Sequence, residues 1–595
     1  MENIESARSL FAQKKYKEAI DTCNQILASD SNSIEALKLT AKSMLSSRKI
    51  EDAIFYFNKA RNLNPNDCEI FKDLGNCYQA LGEINSAINF YKQAIAIDHN
   101  YAPALTNLGS IQLNSGNEKE GISLLLKATQ SDSNLYPAWS NLANGYIRLE
   151  KFVDAEFACR KTIELNPNLF NSHFLLASVL IEQKKLQEAE APLLKTIQLK
   201  PDFLEAYLVL TETLKDLEKM EEAEFYQRKS IELDPTIASS HCNLGLILRS
   251  LGKSKAAEAS TRRAIELNPK CDKAHSNLGI ILRDIGKLEE AKLSTQEAIK
   301  LNPKSSEAYS NLGVIFKDMG RLNKAKDCLN KAIMIDPSYA SAAWNMHGLS
   351  NNLEEAEKWL KKCLEMDKYY LDARLNYSAL KLHQGDKRYL NELMKSSVRN
   401  HPYIRSFYWV SKLSKMPKLF FHRWTFFDNM INLSKKERPF YEFGVWRGGS
   451  FEYLLKTFKT GYGFDTFEGL PEDWHDQMKG TYSAEGIIPD LDGGEFIEGK
   501  FEDTLPKFFS ESRPIASIIN FDADLYSSTL CALNNSKSII DQDTILIFDE
   551  FLINSNWEQD EYKALTEFCL NNSLSYEVLA VSYMSKQVAI KLIDI

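Results

Sequence analysis

The sequence predicts a chain in two parts: an all-α superhelical solenoid over residues 1–403, then an α/β domain built on a mostly parallel, seven-stranded sheet over residues 438–595. Three observations predict it. Marker residues recur every 34 positions through the first two thirds of the chain. That register stops near residue 404. Beyond it, short apolar segments alternate with helical stretches. Periodicity at the length of a helical hairpin marks stacked repeats, and strand–helix alternation marks βαβ units around a parallel sheet.

Composition narrows the class. Among 595 residues, 72 Lys and Arg stand against 81 Asp and Glu, a net charge of −9, which argues against a broad nucleic-acid-binding surface. No run of about eighteen apolar residues occurs, so no membrane span is expected. The opening MENIESARSLFAQKK has acidic residues where a secretory leader has basic ones. The ten cysteines are scattered without a CxxC pair, which suits reduced thiols better than disulfides or a zinc site. A cytoplasmic location is expected.

Pro65, Pro167, Pro201, Pro235, Pro269, Pro303 and Pro337 are separated by 34 residues or multiples of 34. Ala19, Ala53, Ala87, Gly121, Ala155, Ala189, Ala223, Ala257, Ala291 and Ala325 keep the same period. Gly75, Gly109, Gly245, Gly279 and Gly313 mark a third phase. In length and in the order of its markers the pattern resembles the tetratricopeptide repeat (TPR). Small residues let two helices approach closely, and proline closes the second helix before the next unit. A single hairpin cannot bury its apolar face, so the units must stack into a superhelix with a concave groove. The period slips between Ala325 and Ala356, which are 31 residues apart, and a degenerate last unit closes at Pro402. About twelve units are expected, the last two irregular.

Asparagine recurs in phase at Asn107, Asn141, Asn243, Asn277, Asn311 and Asn345. A similar ladder lines the superhelix of O-linked N-acetylglucosamine transferases, a resemblance that implies a groove holding an extended peptide or protein partner. The plainer alternative is that these asparagines solvate the inner face or cap a turn. Leu175 and Val209 interrupt the ladder.

Residues 404–437 read as a linker with the first helices of the second domain. Strands are expected at Phe440–Gly444, Thr460–Phe464, Glu495–Phe501, Ala516–Phe521, Thr544–Phe548, Tyr576–Val581 and Gln587–Leu592. The last two are joined by only SYMSK, too short for a crossover helix, so they should form an antiparallel hairpin. Five parallel strands followed by a hairpin resemble the Rossmann-like layout of class I S-adenosylmethionine-dependent methyltransferases. In YEFGVWRGGS, Glu442, Gly444, Gly448, Gly449 and Ser450 form a glycine-rich turn between strand and helix, where a backbone passes close to a cofactor. The spacing is not the dinucleotide GxGxxG, so NAD matches less well. Asp465, 23 residues beyond Glu442 at the next strand end, is placed to accept ribose hydroxyls.

The blocks YEFGVWRGGS, GYGFDTFEGLPEDW, GKFEDTLP, DADLYSSTLCAL and FDEF, in this order, resemble the macrocin O-methyltransferase (TylF/MycF) family over about residues 438–592. The resemblance implies magnesium-dependent methylation of a sugar or glycan hydroxyl by S-adenosylmethionine. It implies Asp522, Asp549 and Glu550 as Mg²⁺ ligands, Asp524 as general base, and Phe501 to Asp503 beside the adenine. The chemistry is coherent: a hydroxyl is a weak nucleophile, a hard cation positions it, and a carboxylate takes its proton. The pair Asp549-Glu550 departs from the usual Asp-Asp, so Glu550 either reaches the metal with its longer arm or lies outside its shell. The structural alternatives are that Asp549 and Glu550 cap a turn and that Asp522 and Asp524 cap a helix. Tyr526 and Ser527 read as packing and capping residues, and His475 as a lone, exposed histidine. Two other functions compete: a sugar-nucleotide-dependent glycosyltransferase using Asp522 and Asp524 as DxD, and a non-catalytic TPR adaptor with a remnant methyltransferase domain.

Overall fold

The computed structural model describes residues 2–475 and 479–593. Packing divides the chain into two compact units, Met1–Pro235 and Thr236–Ile595.

The first unit is helical throughout its described elements. It holds seven hairpins, from Glu2–Ala12 with Tyr16–Ser29 to Leu204–Asp216 with Met220–Leu233. The second unit begins with five more, from Ala238–Ser250 with Ser254–Leu267 to Leu371–His383 with Arg388–Leu393. Twelve pairs therefore appear among the described residues. The irregular end is explained by two shortened helices, Ala340–His347 with 8 residues and Arg388–Leu393 with 6.

A regular unit pairs a helix of 13 residues with one of 14, as in Asp272–Asp284 and Leu288–Leu301. Gly279 explains the third marker phase: a Cβ there would strike Thr295 Oγ1 on the facing helix. Ala257, Ala291 and Ala325 are fully buried. The helix Ser254–Leu267 ends one residue before Asn268, and Pro269 follows, so proline stands just past the cap where it prevents continuation. The turn inside a regular hairpin uses one left-handed residue. Gly252, Gly286 and Gly320 supply it in the second unit.

The α/β region of the second unit forms one mixed sheet of eight strands, a correction to the expected seven. The strands are β1 (Lys418–Phe420), β2 (Phe440–Phe443), β3 (Gly461–Asp465), β4 (Gly494–Glu498), β5 (Ile518–Phe521), β6 (Ile545–Phe548), β7 (Ser575–Ser582) and β8 (Val588–Ile593). Their order is β1-β7-β8-β6-β5-β2-β3-β4. The five strands β2 to β6 run parallel, and β8 is antiparallel to both β6 and β7. The expected hairpin is thus present, with its second strand inserted beside β6. The added strand is β1, parallel to β7 at the sheet edge, in the segment read as a linker. Three residues after a proline carry no alternation that could have revealed it.

The parallel strands share one in-register row of rings. Phe443 faces Phe464 and Phe521, and Phe521 faces Phe548. These rings stack with centroids 5.0, 5.4 and 4.8 Å apart. Since side chains alternate along a strand, the residue after each phenylalanine leaves this row at the C-terminal end of its strand. Those residues are Gly444, Asp465, Asp522 and Asp549.

Candidate active site

Gly444, Asp465, Asp522 and Asp549 line one cavity of about 520 Å³ at those strand ends. Ligands in open α/β sheets bind at this edge. Gly444 has φ +91°, and a Cβ there would collide with the carbonyl oxygen of Asp522 on the next strand, so only glycine fits.

Asp465 holds the turn that follows. One carboxylate oxygen accepts the backbone N–H groups of Val445 and Trp446, each at 2.7 Å, and the other accepts that of Phe467 at 2.8 Å. Phe501 also lines the cavity, at the start of the helix Phe501–Phe508, whereas Asp503 in its first turn does not. Gly448, with φ +76°, precedes the helix Gly449–Leu455. Neither it nor Gly449, Ser450 or Glu442 borders the cavity. Glu442 is fully buried behind the turn. One of its oxygens accepts from Ser450 Oγ and from Asn520 Nδ2, and the other has no partner among the described residues. Burial pushes this carboxyl up to about 8.

Four acids share one wall: Asp522, Asp524, Asp549 and Glu550. Asp549 is held by Arg423, which forms an ion pair with it, and by Gln587 Nε2 at 2.5 Å. Glu550 turns to Lys586 and Asn554, each at 2.8 Å, and its backbone N–H donates to the buried Glu561 at 3.2 Å. Neither Asp522 nor Asp524 accepts a hydrogen bond from another described side chain. Burial, followed by the neighbouring acids, holds both well above the usual carboxylate range. Asp524 also sits at φ +58°, a conformation that a non-glycine residue seldom adopts. The expected trio of Asp522, Asp549 and Glu550 is not gathered as a ready metal site, and no group of three His, Cys, Asp or Glu among the described residues is. The long arm of Glu550 is spent on Lys586.

Sequence reasoning missed Arg423, which opens the helix Arg423–Leu433, lines the cavity and pairs with Asp549. No motif or spacing links it to the acids. His475 was misread as lone: its Nε2 lies 2.8 Å from Asp560 Oδ2.

The asparagine ladder makes contacts within the repeats. In the first unit Asn107 Nδ2 donates to Asn76 Oδ1 at 2.8 Å. In the second, Asn277 donates to Cys242 Sγ at 3.1 Å, and Asn311 and Asn345 donate to Ser276 and Ser310 at 3.0 Å. Each of these amide donors reaches the preceding repeat. Asn141 and Asn243 make no side-chain hydrogen bond with another described residue, and both are half-buried.

Family models described as tetratricopeptide repeat or TPR repeat match residues 75–116, 102–135, 158–191, 204–237, 238–271, 272–305, 306–339 and 345–370. The hairpins within those ranges are tetratricopeptide repeats. Among solved structures, this TPR chain is similar to YrrB, described as a TPR protein with an unusual peptide-binding site (27% identity, 32% of this chain and 97% of that one, TM-score 0.27). It is also similar to yeast Tom70 (18%, covering 61% and 90%, TM-score 0.35). A third is the Cut9–Hcn1 hetero-tetramer of the APC/C (13%, covering 63% and 95%, TM-score 0.34). The 8-demethyl-8-(2,3-dimethoxy-alpha-L-rhamnosyl)-tetracenomycin-C 4'-O-methyltransferase of Streptomyces olivaceus is 28% identical over 143 residues, 19% of this chain and 53% of the relative. The chain spans about half the length of that curated relative. The similarity supports a methyltransferase region in the C-terminal part of the TPR protein. No helix among the described residues is long and apolar enough to cross a membrane.

Proposed function

We propose that the α/β region is an S-adenosylmethionine-dependent O-methyltransferase, magnesium-dependent and acting on a sugar or glycan hydroxyl, and that the TPR units recruit a protein partner or extended peptide. The observation that carries this reading is the single cavity in which the Gly444 turn and Asp465 face Asp522, Asp524, Asp549 and Glu550. The similarity to a sugar O-methyltransferase supports the reaction class.

The donor chemistry of the acid wall fits a hard divalent cation. Burial and acidic neighbours oppose ionisation of Asp522 and Asp524, a crowding of acids that a cation would relieve. Asp522 and Asp549 would hold it, Asp549 by exchanging its contact with Arg423 or Gln587, while Glu550 is turned away to Lys586. Bound there, Mg²⁺ would lower the acceptor hydroxyl's pKa and fix its position. Asp524 takes the hydroxyl proton. Phe501 offers a ring for an adenine to rest on, and Gly444 leaves the backbone bare where a cofactor would approach most closely.

The test is calorimetric titration of the full chain with S-adenosylhomocysteine, with and without Mg²⁺. Micromolar binding is expected, and methyl transfer to a sugar acceptor should stop with EDTA and fall by orders of magnitude in Asp522→Ala. Failure to bind, beside binding of a UDP-sugar, would transfer Asp522 and Asp524 to a glycosyltransferase. Undiminished turnover in EDTA would remove the metal from the site.

A further inference from the structure

We propose that the ninth and tenth TPR units are working parts of the active site rather than a separate recruiting arm: their turns hold Trp446 and Trp424, and through them set the affinity for the cofactor. The effect on cofactor rests on the methyltransferase reading; the packing beneath it does not.

Trp446 belongs to the glycine-rich turn and lines the cavity. Its backbone sits at φ +50° and is clamped by Asp465. Behind it stands Gly286, the left-handed residue of the ninth hairpin. A Cβ on Gly286 would lie 2.7 Å from the Trp446 indole and 2.9 Å from Arg447 Cδ, so the repeat turn rests directly on the turn that faces the cofactor. The next repeat makes the second hold. Trp424 Nε1 donates to the backbone carbonyl of Lys317 at 3.3 Å, beside the turn at Gly320. The Trp424 ring packs on Tyr453 with centroids 4.4 Å apart, and Tyr453 lies in the helix Gly449–Leu455 that the glycine-rich turn opens. Trp424 also adjoins Arg423, the cation on Asp549. Two successive repeats thus grip both ends of the cofactor turn, and the second grips the residue next to the cation of the acid wall. Trp446, Trp424 and Gly286 are positioning residues; none is placed to react.

A matched pair of variants isolates the contact. Gly286→Ala adds a methyl group against the indole. Gly116→Ala adds one at the equivalent turn of the fourth hairpin, where φ is +83° against +75° at Gly286 and nothing lies within 4 Å. Both carry the same backbone strain, so their difference reports the collision alone. In the full chain, Gly286→Ala should weaken S-adenosylhomocysteine binding at least tenfold and speed amide hydrogen exchange over residues 444–455, while Gly116→Ala stays within twofold of the parent in both. Trp424→Phe, which removes the indole N–H without adding bulk, should weaken binding severalfold and is the working variant if Gly286→Ala does not fold. Unchanged affinity in both variants overturns the proposal, even if exchange rises. If the parent chain binds no S-adenosylhomocysteine, the methyltransferase reading falls, and exchange alone decides whether the repeats hold the turn: no change over residues 444–455 overturns that hold as well.

Discussion

Glu442 occupies the middle of a strand with both faces covered, and it keeps a carboxyl where an amide would suit the same partners. Its folded-state pKa of about 8 lies above the ordinary 4.5, with burial as the main cause. The unfolded chain therefore loses this proton first as pH rises. The group's contribution to stability is complete below pH 4.5 and is lost as pH climbs toward 8, on the order of 1 kcal/mol per pH unit within that window. Glu442→Gln should flatten this part of the stability–pH curve and stabilise the protein at pH 8 relative to the parent, as read by denaturant unfolding at pH 5 and pH 8. The residue also shows where a sequence stops being legible. Glu442 lies two positions before Gly444 in a motif that suggests a cofactor, but strand alternation turns it into the sheet, toward Ser450 and Asn520. Asp465 was legible as the acid at the next strand end; its grip on three backbone N–H groups was not. Arg423 reaches the acid wall only through tertiary packing, and nothing in its neighbourhood announces that.

At the scale of elements, the most legible feature is the one repeated most often. The turn inside eleven of the twelve described hairpins is left-handed at one fixed position. Glycine fills it at 82, 116, 252, 286, 320 and 385, but Lys14, Arg48, Glu150, Lys184 and Glu218 hold it elsewhere, with φ between 55° and 62°. A side chain in this conformation costs roughly 1–2 kcal/mol. Lys184→Gly and Glu218→Gly are both exposed changes and should each raise the thermal midpoint of the first unit, by about 1 kcal/mol in stability. Thermal melts of the full chain check this, and a fall in either midpoint would contradict it. The strand ends were legible in the same way. Tyr-Glu-Phe-Gly, Tyr-Gly-Phe-Asp, Ile-Asn-Phe-Asp and Leu-Ile-Phe-Asp close four parallel strands, and the shared phenylalanine fixes which residue emerges at the cavity. What pattern reading could not supply was β1, because three residues are too few to show a period.

For the molecule as a whole, the sequence changes character near residue 404, while the packing boundary falls after Pro235. Composition records where helix gives way to strand. It does not record that the last repeats carry Gly286 and Lys317, whose neighbours are Trp446 and Trp424. The first seven hairpins form a compact unit of their own. The sheet has its own consequence at this scale. β7 is eight residues long, and β1 covers Ala580, Val581 and Ser582 on its outer edge; without β1 those three would present free N–H and C=O groups, the arrangement through which sheets of separate molecules pair. Replacing Lys418–Phe420 by Gly-Pro-Gly should leave the acid wall in place yet cause self-association, visible by light scattering. Three residues from outside the expected domain thus close that end of the sheet's edge.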